Sequence, residues 1–245
     1  RGGQQTASNM NALLEKWGVR MEPEAIAVDP TLAVTATVRR GQRPQRILTY
    51  LDLTSESMNE DEVISAQLDS VQTLFAGVLE PVPGAGTEVV PLLQTSDSGQ
   101  RWQPQSRFQL RMFDPSIIRR GLEGESKKLM LGCRITGDFK TNFPDGPPKE
   151  ESEEESSDES DAESEEEEPE KKVEVVKKAD PEAAVLAFSD VDMISDMLAY
   201  RDTFAGMLPS GDNASLALNS LEFMAGNRDL ISIRSRGKYR RPFTV

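Results

Sequence analysis

The sequence predicts one α/β domain, an open sheet with helices, interrupted by an acidic segment. Three observations predict it. Beyond the acidic segment the chain reads strand, connection, helix, strand: an apolar run AAVLAF at 183–188, a helix at 212–224 and LISIR at 230–234. Such a βαβ unit needs a parallel sheet to sit in, and a short apolar run suits a central parallel strand. Two strands are too few for that sheet, so residues 1–148 are expected to supply the rest. Finally, residues 149–170 (KEESEEESSDESDAESEEEEPE) carry fourteen Asp and Glu against one Lys, −13 of the chain's formal −14. This tract has no aromatic, β-branched or Leu residue, so it cannot bury enough apolar surface to offset the entropy of ordering it. The expected organisation is a first part at 1–148, a disordered acidic insertion at 149–180, and a C-terminal βαβ unit with a basic tail at 181–245.

In chain order, residues 8–18 read as a helix. Met10, Leu13, Leu14 and Trp17 form one apolar stripe, Ser8 is placed to cap it and Gly18 to end it. WGVRMEPEAI is a short strand and turn. Residues 31–39 alternate, with Leu32, Val34, Ala36 and Val38 on one face, as in a strand with one wet face. Residues 46–53 are a second strand, and 59–64 begin a short helix with acids in its first turn. DSVQTLFAGVLEP fits helix and strand equally. A loop at 81–86 leads to a strand at 87–94, broken in part by Pro91. TSDSGQRWQPQ is a polar loop carrying Trp102. Asp114-Pro115 is an N-cap with Pro at N1, opening PSIIRRGL. KKLMLGCRIT at 127–136 has a nearly continuous apolar middle and should be a buried strand. In the last helix Ala214, Ala217, Leu218, Leu221 and Ala225 make the stripe, with Gly226 as the stop.

Composition excludes several chemistries. The chain has no histidine and one cysteine. Ser–His or Cys–His pairs, a histidine base or metal ligand and a four-cysteine zinc site are therefore ruled out. No apolar run approaches the ~18 residues that span a membrane, and a chain beginning at Arg1 reads as an excised fragment. Cys133 lies among apolar residues and reads as core. Arg234, Arg236, Lys238, Arg240 and Arg241 crowd the tail, but the rest of the chain has no basic surplus, so nucleic acid is not an expected partner.

Candidate binding residues follow the apolar run. Asp190 and Asp192 in SDVDMISD stand past a strand end, where open α/β sheets hold ligands. Two carboxylates at i and i+2 suit a cation or polar group, or else one caps the next helix and the other faces water. Asn213, beside Asp212, opens a helix whose N-terminus offers a place for an anion, with plain capping as the alternative. No catalytic residue, cofactor or metal is expected.

GVRMEPEAI after Trp17, GCRITGDFKTNFPDG, AAVLAFSDVDMISD, DNASLALNSLEFMAGNRDLISIRSRG and the ending RPFTV together resemble the GldG-like family. These are auxiliary proteins of ABC transporters linked to gliding motility. LNSLEFMAGNRDLISIRSRG is the most specific stretch. The resemblance implies a flavodoxin-like or class-I-amidotransferase-like α/β domain, non-catalytic, on the extracytoplasmic (periplasmic) face of the inner membrane. The full-length protein would be membrane-anchored and would work through protein–protein contact with the ABC permease and ATPase subunits or a second auxiliary protein. This fragment would be the later part of that domain, its sheet incomplete on the N-terminal side. The alternative expectation is a domain that binds or senses a small polar solute.

Overall fold

Gly18 turns the chain from its first helical residues into its first strand. The computed structural model describes residues 10–37, 41, 43–106, 108–111, 114–141, 179–180, 182–203, 206–227 and 231. The acidic tract, the basic tail and, apart from Ile231, the strand expected at 230–234 lie outside them. Within the expected first helix, only α1 (Asn11–Leu14) and a 3-10 turn (Glu15–Trp17) form among the described residues. Gly18 ends the turn at φ 87°, and a Cβ there would fall 2.4 Å from Thr87 Oγ1, so both backbone and space require glycine.

Strand β1 (Val19–Val28) is wet in its first half and buried over Ala25–Val28, with a register shift between Met21 and Ile26. It is followed by β2 (Ala33–Ala36) and β3 (Gln45–Thr54). The helix expected at 59–64 is replaced by turns. Asn59 engages the backbone instead: its Oδ1 accepts locally from Asp61 N–H, and its Nδ2 donates across to Pro91 O on the strand at 87–94. The undecided stretch DSVQTLFAGVLEP becomes two strands, β4 (Ser70–Leu74) and β5 (Gly77–Pro81), separated where Phe75 adopts φ 55°. Strand β6 (Thr87–Gln94) has the expected limits, and its register slips between Pro91 and Leu93. The polar loop expected around Trp102 contains β7 (Gln100–Trp102), and Trp102 is buried. Helix α2 (Pro115–Arg120) starts as predicted, with Asp114 Oδ1 accepting from Ser116 N–H. After β8 (Leu122–Glu123) comes β9 (Met130–Gly137), whose first four residues are all buried.

Strand β10 (Ala184–Phe188) leads to a 3-10 turn (Asp192–Ile194), α3 (Asp196–Ala199), the hairpin β11 (Tyr200–Thr203) and β12 (Gly206–Pro209), and α4 (Asn213–Met224). The largest sheet runs β10-β9-β5-β1-β7-β8, with β6 also on β9. β6 covers one edge of β9. β10 and β5 lie end to end along the other, and Ser189 joins them: its N–H donates to Leu131 O, and its O accepts from Gly77 N–H. A second sheet has the order β2-β3-β4.

Every pairing among the described residues is antiparallel, so the molecule is mixed α/β with a curled antiparallel sheet and few helices. The parallel βαβ reading of the C-terminal part is corrected here. β10 is not a central parallel strand. It runs antiparallel to β9, from Ala184↔Thr136 to Phe188↔Gly132, and is only half-buried. A five-residue apolar run fills a sheet equally well in either direction, so its composition does not encode its polarity. The flavodoxin-like expectation finds no support in this pairing. One core joins both sheets to α4 through Leu51, Leu53, Leu92, Leu131, Leu216 and Phe223.

Candidate functional site

β4 pairs with β3 along one edge, from Tyr50↔Leu74 to Thr54↔Ser70. Its other edge presents the N–H groups of Ser70, Gln72 and Leu74, two residues apart as strand geometry requires. Each meets a side chain from the C-terminal segment. Asp212 Oδ2 accepts from Asp69 N–H at 2.8 Å and from Ser70 N–H at 3.4 Å, while its own N–H donates to Ser70 O at 2.6 Å. Asn213 Oδ1 accepts from Gln72 N–H at 2.9 Å, and its Nδ2 donates to Gln72 O at 2.7 Å and Met193 O at 2.8 Å. Asp190 Oδ2 accepts from Leu74 N–H at 2.7 Å, and its Oδ1 from Asp192 N–H at 2.8 Å. The carboxamide of Asn213 thus does for Gln72 what a neighbouring strand's peptide group would do. Gly211 lets the chains close: a Cβ there would stand 2.8 Å from Ser70 O.

The three predicted binding residues therefore part company. Asp190 and Asn213 are buried and committed to β4, and Asp192 is exposed. Burial raises the Asp190 carboxyl above its ordinary value, and the Leu74 and Asp192 N–H groups oppose this less strongly. Asp212, read from the sequence as a helix cap, turns its side chain to the strand instead. Among the described residues no group of three or more His, Cys, Asp or Glu is arranged to hold a metal. Cys133 is fully buried, and burial pushes its thiol up to about 12, so it is inert core at neutral pH.

The inward face of α4 is the reverse of the one predicted. Asn213, Leu216, Asn219 and Phe223 are buried, and Asn219 Nδ2 donates to Ile64 O at 2.9 Å. Leu218 and Leu221 of the predicted stripe face out. The available signal was the Asn-Leu-Asn-Phe row at 213, 216, 219 and 223. Its amides disguise it as polar, yet each has a backbone partner in the core. Outward, Leu218, Leu221 and Met224 recur every third residue, as do Val191, Ile194 and Met197 on the segment packed against α4. Leu221 and Met197 are each 67% exposed and Val191 77%. Among the described residues most of the exposed large hydrophobics lie in this segment.

A family profile accounts for nearly all of this chain. Residues 1–220 match the family described as an ABC-type uncharacterized transport system, the auxiliary family of such systems. The chain belongs to that family, which makes its role transport-associated and auxiliary. No curated protein and no solved structure matches it. No described helix is long and apolar enough to cross a membrane.

Proposed function

We propose that the chain is a non-catalytic extracytoplasmic domain of the GldG-like, gliding-motility type, and that it docks a permease or ATPase-associated subunit, or a second auxiliary protein, through the outer face of the α3–α4 segment. Residues 149–180 are, in this reading, an excursion from one domain. The observation that carries the docking role is the second apolar face of α4. A helix apolar on both sides is ordinarily buried on both sides, and a patch of this kind marks an interaction surface. Asp190 and Asn213 act as positioning residues that hold the segment on β4. Asp192, exposed on the same segment, stands ready to meet a partner's cation.

The test uses the full-length, membrane-anchored protein expressed with its permease and ATPase. Co-purification should be lost in Leu221→Glu and Ile194→Glu, with thermal unfolding of the isolated chain unchanged. Retained co-purification in both variants would overturn the docking face. Recovery of the native full-length protein without the transporter subunits would overturn the auxiliary-contact role itself. Binding of the variants' parent chain to protein-free vesicles would assign the face to the bilayer instead.

A further inference from the structure

A cleft of about 390 Å³ opens at the corner between β7 and α2, within the range of roughly 300–1,000 Å³ typical of small-molecule sites. Its floor is Trp102, only 1% exposed, whose indole N–H has no hydrogen-bond partner among the described residues. Gly121 leaves that edge of the ring open, since a Cβ there would stand 3.0 Å from Trp102 Nε1 and 3.1 Å from Cδ1. The walls carry Gln103, Gln105, Gln109 and Arg120, with Ile117 as an apolar side.

These groups are rich in donors. Gln109 Oε1 already accepts from Gln105 N–H at 2.8 Å, which leaves its NH₂ as the free end. Arg120 Nε donates to Ser116 O at 3.2 Å, which leaves the two terminal NH₂ groups of the guanidinium. Among the described lining residues Arg120 carries the one formal charge, and the Asp114 carboxylate lies near enough to feel it. Such a lining suits a solute with one anionic group and several hydroxyl oxygens.

We propose that this cleft binds a small hydroxylated carboxylate, a sugar acid or hydroxy acid. Arg120 takes the carboxylate, and the Trp102 N–H and the glutamine amides take the hydroxyls. The proposal stands apart from the docking face, because none of the cleft's residues lies on the α3–α4 segment.

The experiment titrates the whole chain with gluconate, galacturonate, glucitol and glucosamine, read by calorimetry and by Trp102 fluorescence in a Trp17→Phe background. Saturable binding of gluconate or galacturonate is expected, with glucosamine much weaker. Gly121→Ala should weaken the acids by about tenfold by closing the indole edge, and Trp102→Phe by a similar factor. Arg120→Gln should remove the preference for gluconate over glucitol. Thermal unfolding without solute checks that each variant is folded. Arg120 is exposed, so its variant remains informative if Trp102→Phe does not fold. The proposal is overturned by no saturable binding of either acid up to about 10 mM, by equal binding of glucosamine, or by acid binding that survives both Gly121→Ala and Arg120→Gln.

Discussion

β9 has backbone on both edges: β6 along one, β10 and β5 along the other. β4 has a strand on one edge only, β3. Its second edge is covered by the side chains of Asp190, Asp212 and Asn213. Both arrangements keep strand edges from pairing with foreign chains, but they differ in kind. A backbone ladder is insensitive to pH and tolerates most substitutions. A side-chain clasp depends on three particular residues, two of them carboxylic acids. It also leaves the opposite face of the segment that supplies it exposed, at Ile194, Met197 and Leu221.

The sharpest break in the comparison should come at β9. Ile135 is fully buried between β6 and β10, and Ile135→Ala should cost about 3–4 kcal/mol in a urea titration. Next comes the clasp. Asn213→Ala removes three hydrogen bonds and strands Gln72 N–H and O, for a loss of about 2–3 kcal/mol. A loss below about 0.5 kcal/mol would mean that water replaces the amide and the clasp is not structural. Arg134 donates from Nε and Nη2 to the two Glu62 oxygens at 3.0 and 2.6 Å, and Glu62→Gln should cost about 1–2 kcal/mol.

The clasp should also respond to acid. The Asp190 carboxyl is raised above 3.8, mainly by burial, so the folded chain holds this proton more tightly than the unfolded chain. The linked stability is full below the unfolded value and is lost as pH rises through the folded one. Asp190→Asn removes that titration. The Tm of the native chain minus that of the variant should therefore fall as pH rises from below 3.8 toward neutrality. A difference that stays flat or grows would show that the backbone N–H groups outweigh burial. The smallest effect belongs to the outer face, where Leu221→Glu should change stability by less than about 0.5 kcal/mol.

Much of the first sheet was legible. The apolar middle of KKLMLGCRIT gives β9, the limits of β6 follow from its flanking turns, and Asp114-Pro115 opens α2 as its chemistry demands. Strand direction was not legible, because AAVLAF carries no mark of polarity. Nor was the burial of Trp102, since its flanking Gln and Pro residues read as loop while three residues pair with β1. The site was half visible. Asp190 and Asn213 stand out as polar residues at element ends, but their partner β4 lies more than a hundred residues earlier. Periodicity reads only apolar spacing, so it found one stripe on α4, the outer one, and missed the inward row that carries Asn213 and Asn219.

The junction at Ser189 makes the two ends of the chain partners and not merely neighbours. Residues 184–189 and 212–223 add to a sheet and core already drawn from residues before 142. A chain cut before β10 would leave Leu131 O and Gly77 N–H without the partners Ser189 gives them.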